Sequence, residues 1–116
     1  MKIYISGPIT GKANYEQSFD DAEDMLYHAH FIHHGACEVI NPTKLPIPVK
    51  EWTSGMVIPW IEWMRYDIKH LVDCDAIYML PGWVWSRGAR VERVIAWMLG
   101  IKRIRVKKWG ALPIIL

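Results

Sequence analysis

The stretch Leu80–Gly100, LPGWVWSRGARVERVIAWMLG, holds a single carboxylate, Glu92, among Arg87, Arg90 and Arg93. Two readings fit an acid in that setting. One is a solvated ion pair with Arg93 or another nearby arginine, the commoner fate of a helical glutamate. The other is a half-buried nucleophile that attacks an electrophilic carbon. Asp67 shows the same ambiguity, because Arg65 and Lys69 stand close to it in sequence. Asp73 and Asp75, in VDCDA, precede an apolar run and suit a turn or capping role. His30 and His34, in HAHFIHHG, have helical spacing but no accompanying H-E-x-x-H glutamate, so no metal site is expected. Cys37 and Cys74 show neither metal-ligand spacing nor a disulfide framework, and read as buried free thiols.

The elements that must position these groups follow from periodicity. KIYIS at 2–6 is a short buried strand, and GPITGKAN after it is a loop. Asn14 is expected to cap a helix, with Gln17 as its capping-box partner. Tyr15, Phe19, Ala22, Leu26 and Ala29 mark that helix's buried face, and Gly35 its end. CEVINP is a second strand, and 43–57 a long proline-rich loop. A second helix starts near Pro59 with an apolar stripe at Ile61, Met64, Ile68 and Leu71. AIYML is a third strand. Ser86 opens a third helix with Val91, Ile95, Met98 and Leu99 expected inward, and Gly100 closes it. RIRVKK is a fourth strand, and the final LPIIL is a fifth edge strand or a docked tail.

Strands alternating with helices call for a parallel sheet covered on both faces. The expected fold is a single domain over 1–116, α/β in class: a three-layer α/β/α sandwich of flavodoxin-like type with four or five mostly parallel strands. In such sheets ligands bind at the carboxyl ends of the strands, where strand order reverses. That rule selects Gly7, Pro8 and Ile9 after the first strand, Asn41 after the second, and Gly82, Ser86 and Gly88 after the third. The glycines let backbone approach a ligand, and Ser86 and Gly88 sit at a helix start, which favours anions. At about 100° per residue, Glu92 falls at the edge of an arc centred on Val91 and Ile95, on the Gly88 side. GPITG is neither a Walker A loop nor a dinucleotide fingerprint, so no cofactor is expected.

Composition bounds the rest. Hydrophobic residues make up 52% of 116, enough for a core without disulfides. A net charge of +2 argues against nucleic acid, because the one basic run, IKRIRVKKWG, reads equally as a strand with a wet face. No run approaches a membrane span, and the expected location is the cytoplasm. The seven tryptophans exceed what a small core needs, which leaves some for an interface or for stacking a base.

Three segments taken together, IYISGPITG, MRYDIKHLVDCDAIYMLPGW and SRGARVERVIAWMLGI, resemble the nucleoside 2-deoxyribosyltransferase-like superfamily. That superfamily includes the deoxynucleoside 5′-monophosphate N-glycosidases. The likeness covers roughly 2–106 and looks closest to a small bacterial and phage branch. It implies an enzyme acting on a small nucleoside or nucleotide, by hydrolysis or transfer at the N-glycosidic bond. Glu92 then matches the carboxylate that attacks C1′, Tyr4 a phenol touching that carboxylate, and Asp67 an acid serving the departing base. Ser86 and Gly88 match residues along the sugar or phosphate. The resemblance further implies a homodimer or higher homo-oligomer. Pro8 and Thr10 stand where the monophosphate hydrolases carry serine and arginine, and the tail ALPIIL lacks the transferases' polar groups. The alternative is a binding module that holds a nucleotide in the same pocket without turnover.

Overall fold

The computed structural model describes residues 1–9, 13–34, 37–45, 59–109 and 112–115. In chain order the strands and α-helices are β1 (Lys2–Ser6), α1 (Tyr15–His34), β2 (Glu38–Ile40), α2 (Trp60–Leu71), β3 (Ala76–Met79), α3 (Arg87–Met98), β4 (Lys102–Ile104), β5 (Val106–Trp109) and β6 (Leu112–Ile115). Short 3-10 turns at Pro42–Lys44 and Trp83–Trp85 follow β2 and β3. β2, β1, β3 and β4 lie side by side in that order, all parallel, as a flavodoxin-like sheet requires. The chain builds outward from β1 to β2, then switches to the other side with β3. The reversal of strand order therefore falls between β1 and β3.

Alternation along β1 divides the molecule into two cores. Ile3 and Ile5 pack with Phe19, Ala22 and Leu26 of α1, joined by Val39, Ala76 and Leu80. Tyr4 faces the other way, among Leu71, Ile77, Met79, Ala89 and Ala96. α1 thus covers one face, and α2 with α3 cover the other. The amino edge is tied by Asp75, whose carboxylate accepts from the Lys2 amide at 2.8 Å, in keeping with its expected capping role.

Several local expectations need correction. Asn14 is left-handed (φ 60), not the extended residue of a capping box, and the Gln17 amide donates to Asp21 instead. On α2, Met64 and Leu71 are buried, but Ile61 is half exposed. On α3, Ala89, Glu92 and Ala96 are buried, whereas Met98 and Leu99 are exposed. The helix is turned so that its smallest side chains meet the sheet, which allows close approach. RIRVKK is two elements broken at Arg105, and LPIIL supplies β6, which pairs antiparallel with β5 in a sheet of its own. Gly35 and the loop from 46 to 58 lie outside the described residues. No helix among those described is long and apolar enough to cross a membrane.

Candidate active site

β1 ends at Ser6, on the same face as Tyr4 and beside the switch point. α3 starts above this edge, and the Ser86 hydroxyl caps it by accepting from the Ala89 amide at 3.2 Å. Six residues on, Glu92 points down into the sheet and is only 6% exposed. Its Oε1 accepts a hydrogen bond from Ser6 Oγ at 2.9 Å, entirely buried. Its Oε2 is buried without a partner, and so is the Tyr4 hydroxyl. The Tyr4 phenol nonetheless draws the acid's titration down.

Burial, above all, raises the Glu92 carboxyl from 4.5 to about 8. The Tyr4 hydroxyl draws it down, the charge on Asp67 pushes it up, and Ser6 draws it down again. Asp67, half-buried on α2, is itself raised by burial to about 6, with His70 pulling the other way. The Tyr4 phenol is held well above its ordinary value by burial and then by the Glu92 charge. Three titratable groups from β1, α2 and α3 thus share one dry environment. Two are acids whose values are pushed apart, a pattern that accompanies acid–base chemistry.

The loops around this cluster interlock. A Cβ on Gly7 would fall 2.7 Å from the Leu80 Cβ, so the strand exits of β1 and β3 are in direct contact. Gly82 takes a left-handed turn (φ 86), and a Cβ there would meet the Pro8 ring at 3.7 Å. Gly88 lets α3 close on α2, since a Cβ would stand 3.1 Å from Met64 Sδ. Beside it, the Arg87 guanidinium lies 4.1 Å over the Trp60 ring. Gly7, Pro8, Gly82, Ser86 and Gly88 are therefore gathered around the edge above Glu92, and Ile9 is partly exposed there. Asn41 is not gathered with them. Its amide donates to Asp20 and Glu23 of α1 and accepts from Thr43, and Lys44 pairs with both acids. That network belongs to the α1 face.

Sequence reasoning missed Ser6, which reads as the last residue of an apolar strand. Period-two alternation from Tyr4 was the signal that could have found it. Among the described residues, no group of three His, Cys, Asp or Glu could hold a metal ion. The family described as "Domain of unknown function (DUF4406)" matches residues 1–105. No curated protein and no solved structure matches the chain.

Proposed function

The chain belongs to the DUF4406 family; from the site itself we propose that it cleaves or exchanges the N-glycosidic bond of a deoxynucleoside or its monophosphate, with Glu92 as nucleophile. One observation carries this reading: a buried carboxylate at the sheet's switch point, with one oxygen oriented by Ser6 and the other buried without a partner. A carboxylate so placed can stabilise positive charge developing at C1′ and trap it. In the first step a Glu92 oxygen forms a bond to C1′. The C1′–N bond breaks, and its electron pair leaves with the base. Asp67 supplies the proton or hydrogen bond that the departing base needs. Water, or a second base, then takes the sugar from Glu92. The C1′–Glu92 bond breaks with its electrons on the carboxylate, and the proton given up by the incoming water or base passes to Asp67, which restores the acid.

The two titrations set a condition. With Glu92 near 8 and Asp67 near 6, the proton at neutral pH rests on Glu92 and the charge on Asp67. The reaction needs the opposite arrangement, so a bound base must draw the proton toward Asp67 before attack. The reactive form of the pair carries one proton, so kcat/KM rises with pH through about 6 and falls through about 8.

The test is base release from a panel of deoxynucleosides and their 5′-monophosphates, with Glu92→Gln alongside. Release by the wild type that falls by about a thousandfold or more in the variant supports the nucleophile. Ligand binding with no release from any member of the panel supports a non-catalytic nucleotide module instead. The absence of serine and arginine at Pro8 and Thr10 favours that second reading.

A further inference from the structure

We infer that the flank of α3 facing β4 is a phosphate-binding site, apart from the acid cluster, in which Arg93, Arg103 and Arg105 converge on one dianionic phosphate group. Pairing across the sheet places the first of them. Arg103 stands opposite Ile77, whose side chain lies in the core under α2 and α3, so it projects to that side. Ile104 and Val106, on either side of Arg105, both pack toward α1. Arg105 is thereby left on the α3 side with Arg103, and it is exposed. α3 packs on β4 and brings a half-buried Arg93 to this flank.

These charges stand without counterions. No carboxylate pairs with Arg93, Arg103 or Arg105 among the described residues, where the ion pairs belong to Lys44 and Arg65. Burial first, then the charges of Arg105 and Arg93, lower the titration of the Arg103 guanidinium, and only Tyr78 acts the other way. Like charges held together on a partly covered flank cost folding free energy. The Arg103 Nε is also buried without an acceptor, and its Cζ lies 5.4 Å from the centre of the Trp83 ring. Packing against that ring limits how the guanidinium can turn. Side-on pairing with an oxyanion, through Nε and one Nη, would satisfy the orphan donor. A carboxylate fills one such fork and carries one charge. A phosphate monoester brings two charges and three terminal oxygens, a match for three guanidiniums. The site is not the one around Glu92. Gly88 faces Met64 of α2, and at about 100° per residue Arg93 lies about 140° from Gly88 around the helix. Ser86 and Gly88, at the amino end of α3, take no part in it.

The experiment titrates the full chain with inorganic phosphate at low ionic strength, against chloride at matched ionic strength. Calorimetry reads affinity, and NMR of the arginine Nε–H signals reads place. Wild type is expected to bind phosphate saturably, with the Arg103 signal moving most. Arg105→Gln is expected to weaken binding about tenfold or more with unchanged circular dichroism, because the residue is exposed. Arg103→Lys keeps the charge but loses the fork, and is expected to weaken binding by a similar factor. Phenyl phosphate, run beside inorganic phosphate, separates the sources. Tighter binding of the ester assigns the site to a phosphate carried on an organic ligand, and equal binding assigns it to the free ion. No saturable binding of either beyond the chloride control overturns the inference. So does binding that both variants leave unchanged, which would put the anion elsewhere, as at the amino end of α3. None of these readouts depends on turnover, so they stand or fall apart from the glycosidic reading.

Discussion

The two faces of the sheet are built on opposite terms. Against α1 the centre of the packing is apolar: Ile3, Ile5, Phe19 and Leu26 are fully buried, and the polar groups of that face, Asn41 with Asp20 and Glu23, are paired with one another. Against α2 and α3 the same strand offers Tyr4 and Ser6, and they meet Glu92 and, through the shared field, Asp67. Burying an acid costs folding free energy unless it stays neutral. The first face supplies stability and the second gives some of it up, and a fold keeps such an arrangement where the site has a use for it.

That contrast can be broken by substitution. Leu26→Ala, on the α1 face, should lose about 2–5 kcal/mol, by the same amount at pH 5 and pH 8. Chemical denaturation at both values checks this. Glu92→Gln should do the reverse. The carboxyl titrates at 4.5 when free and about 8 when folded. Below 4.5 both states are protonated and burial costs nothing extra. Between 4.5 and 8 only the unfolded chain ionises, so stability falls as pH rises, and above 8 the full cost is present. The variant should therefore match the wild type near pH 4 and exceed it by a few kcal/mol above pH 8. A variant less stable than the wild type at pH 8 would mean that the acid is compensated in a way this packing does not contain. Asp67, raised in the same direction, adds a smaller slope up to about 6.

Smaller changes sharpen the picture. Ser6→Ala removes the hydrogen bond to Oε1 and should cost about 1 kcal/mol at pH 8. It should also move the Glu92 titration further up, which carbon-detected NMR of the carboxyl would follow. Tyr4→Phe deletes a buried hydroxyl that has no aligned partner, so stability at pH 6 should change by less than about 0.5 kcal/mol. Its effect should show in the same titration, as a further rise, because the phenol draws that value down.

Much of this was legible in the order of residues. The α1 stripe from Phe19 to Ala29 reads directly, since helical spacing and bulk agree there. The parallel strand order follows from the alternation of short β-branched runs with helices. Ser86 declared the start of α3, and Glu92 was singled out by its isolation among arginines. The orientation of α3 was not legible, because periodicity weighs bulk and this helix approaches the sheet through alanine. Ile95 does pack against the core, but reading Met98 and Leu99 as core beside it left Glu92 at a margin, when it belongs to the buried face. The partnership of Ser6 with Glu92 spans 86 residues, and only the assembled sheet reveals it. The separate β5–β6 hairpin was hidden because one basic run contains both the last parallel strand and the first hairpin strand.

Gly7 carries a final consequence. With no room for even one carbon between it and Leu80, the strand exits at the edge near the buried acid are wedged together. A guest cannot prise that seam apart. A larger side chain at position 7 would have to push that seam open, so Gly7→Ala would displace the exit of β1 from that of β3.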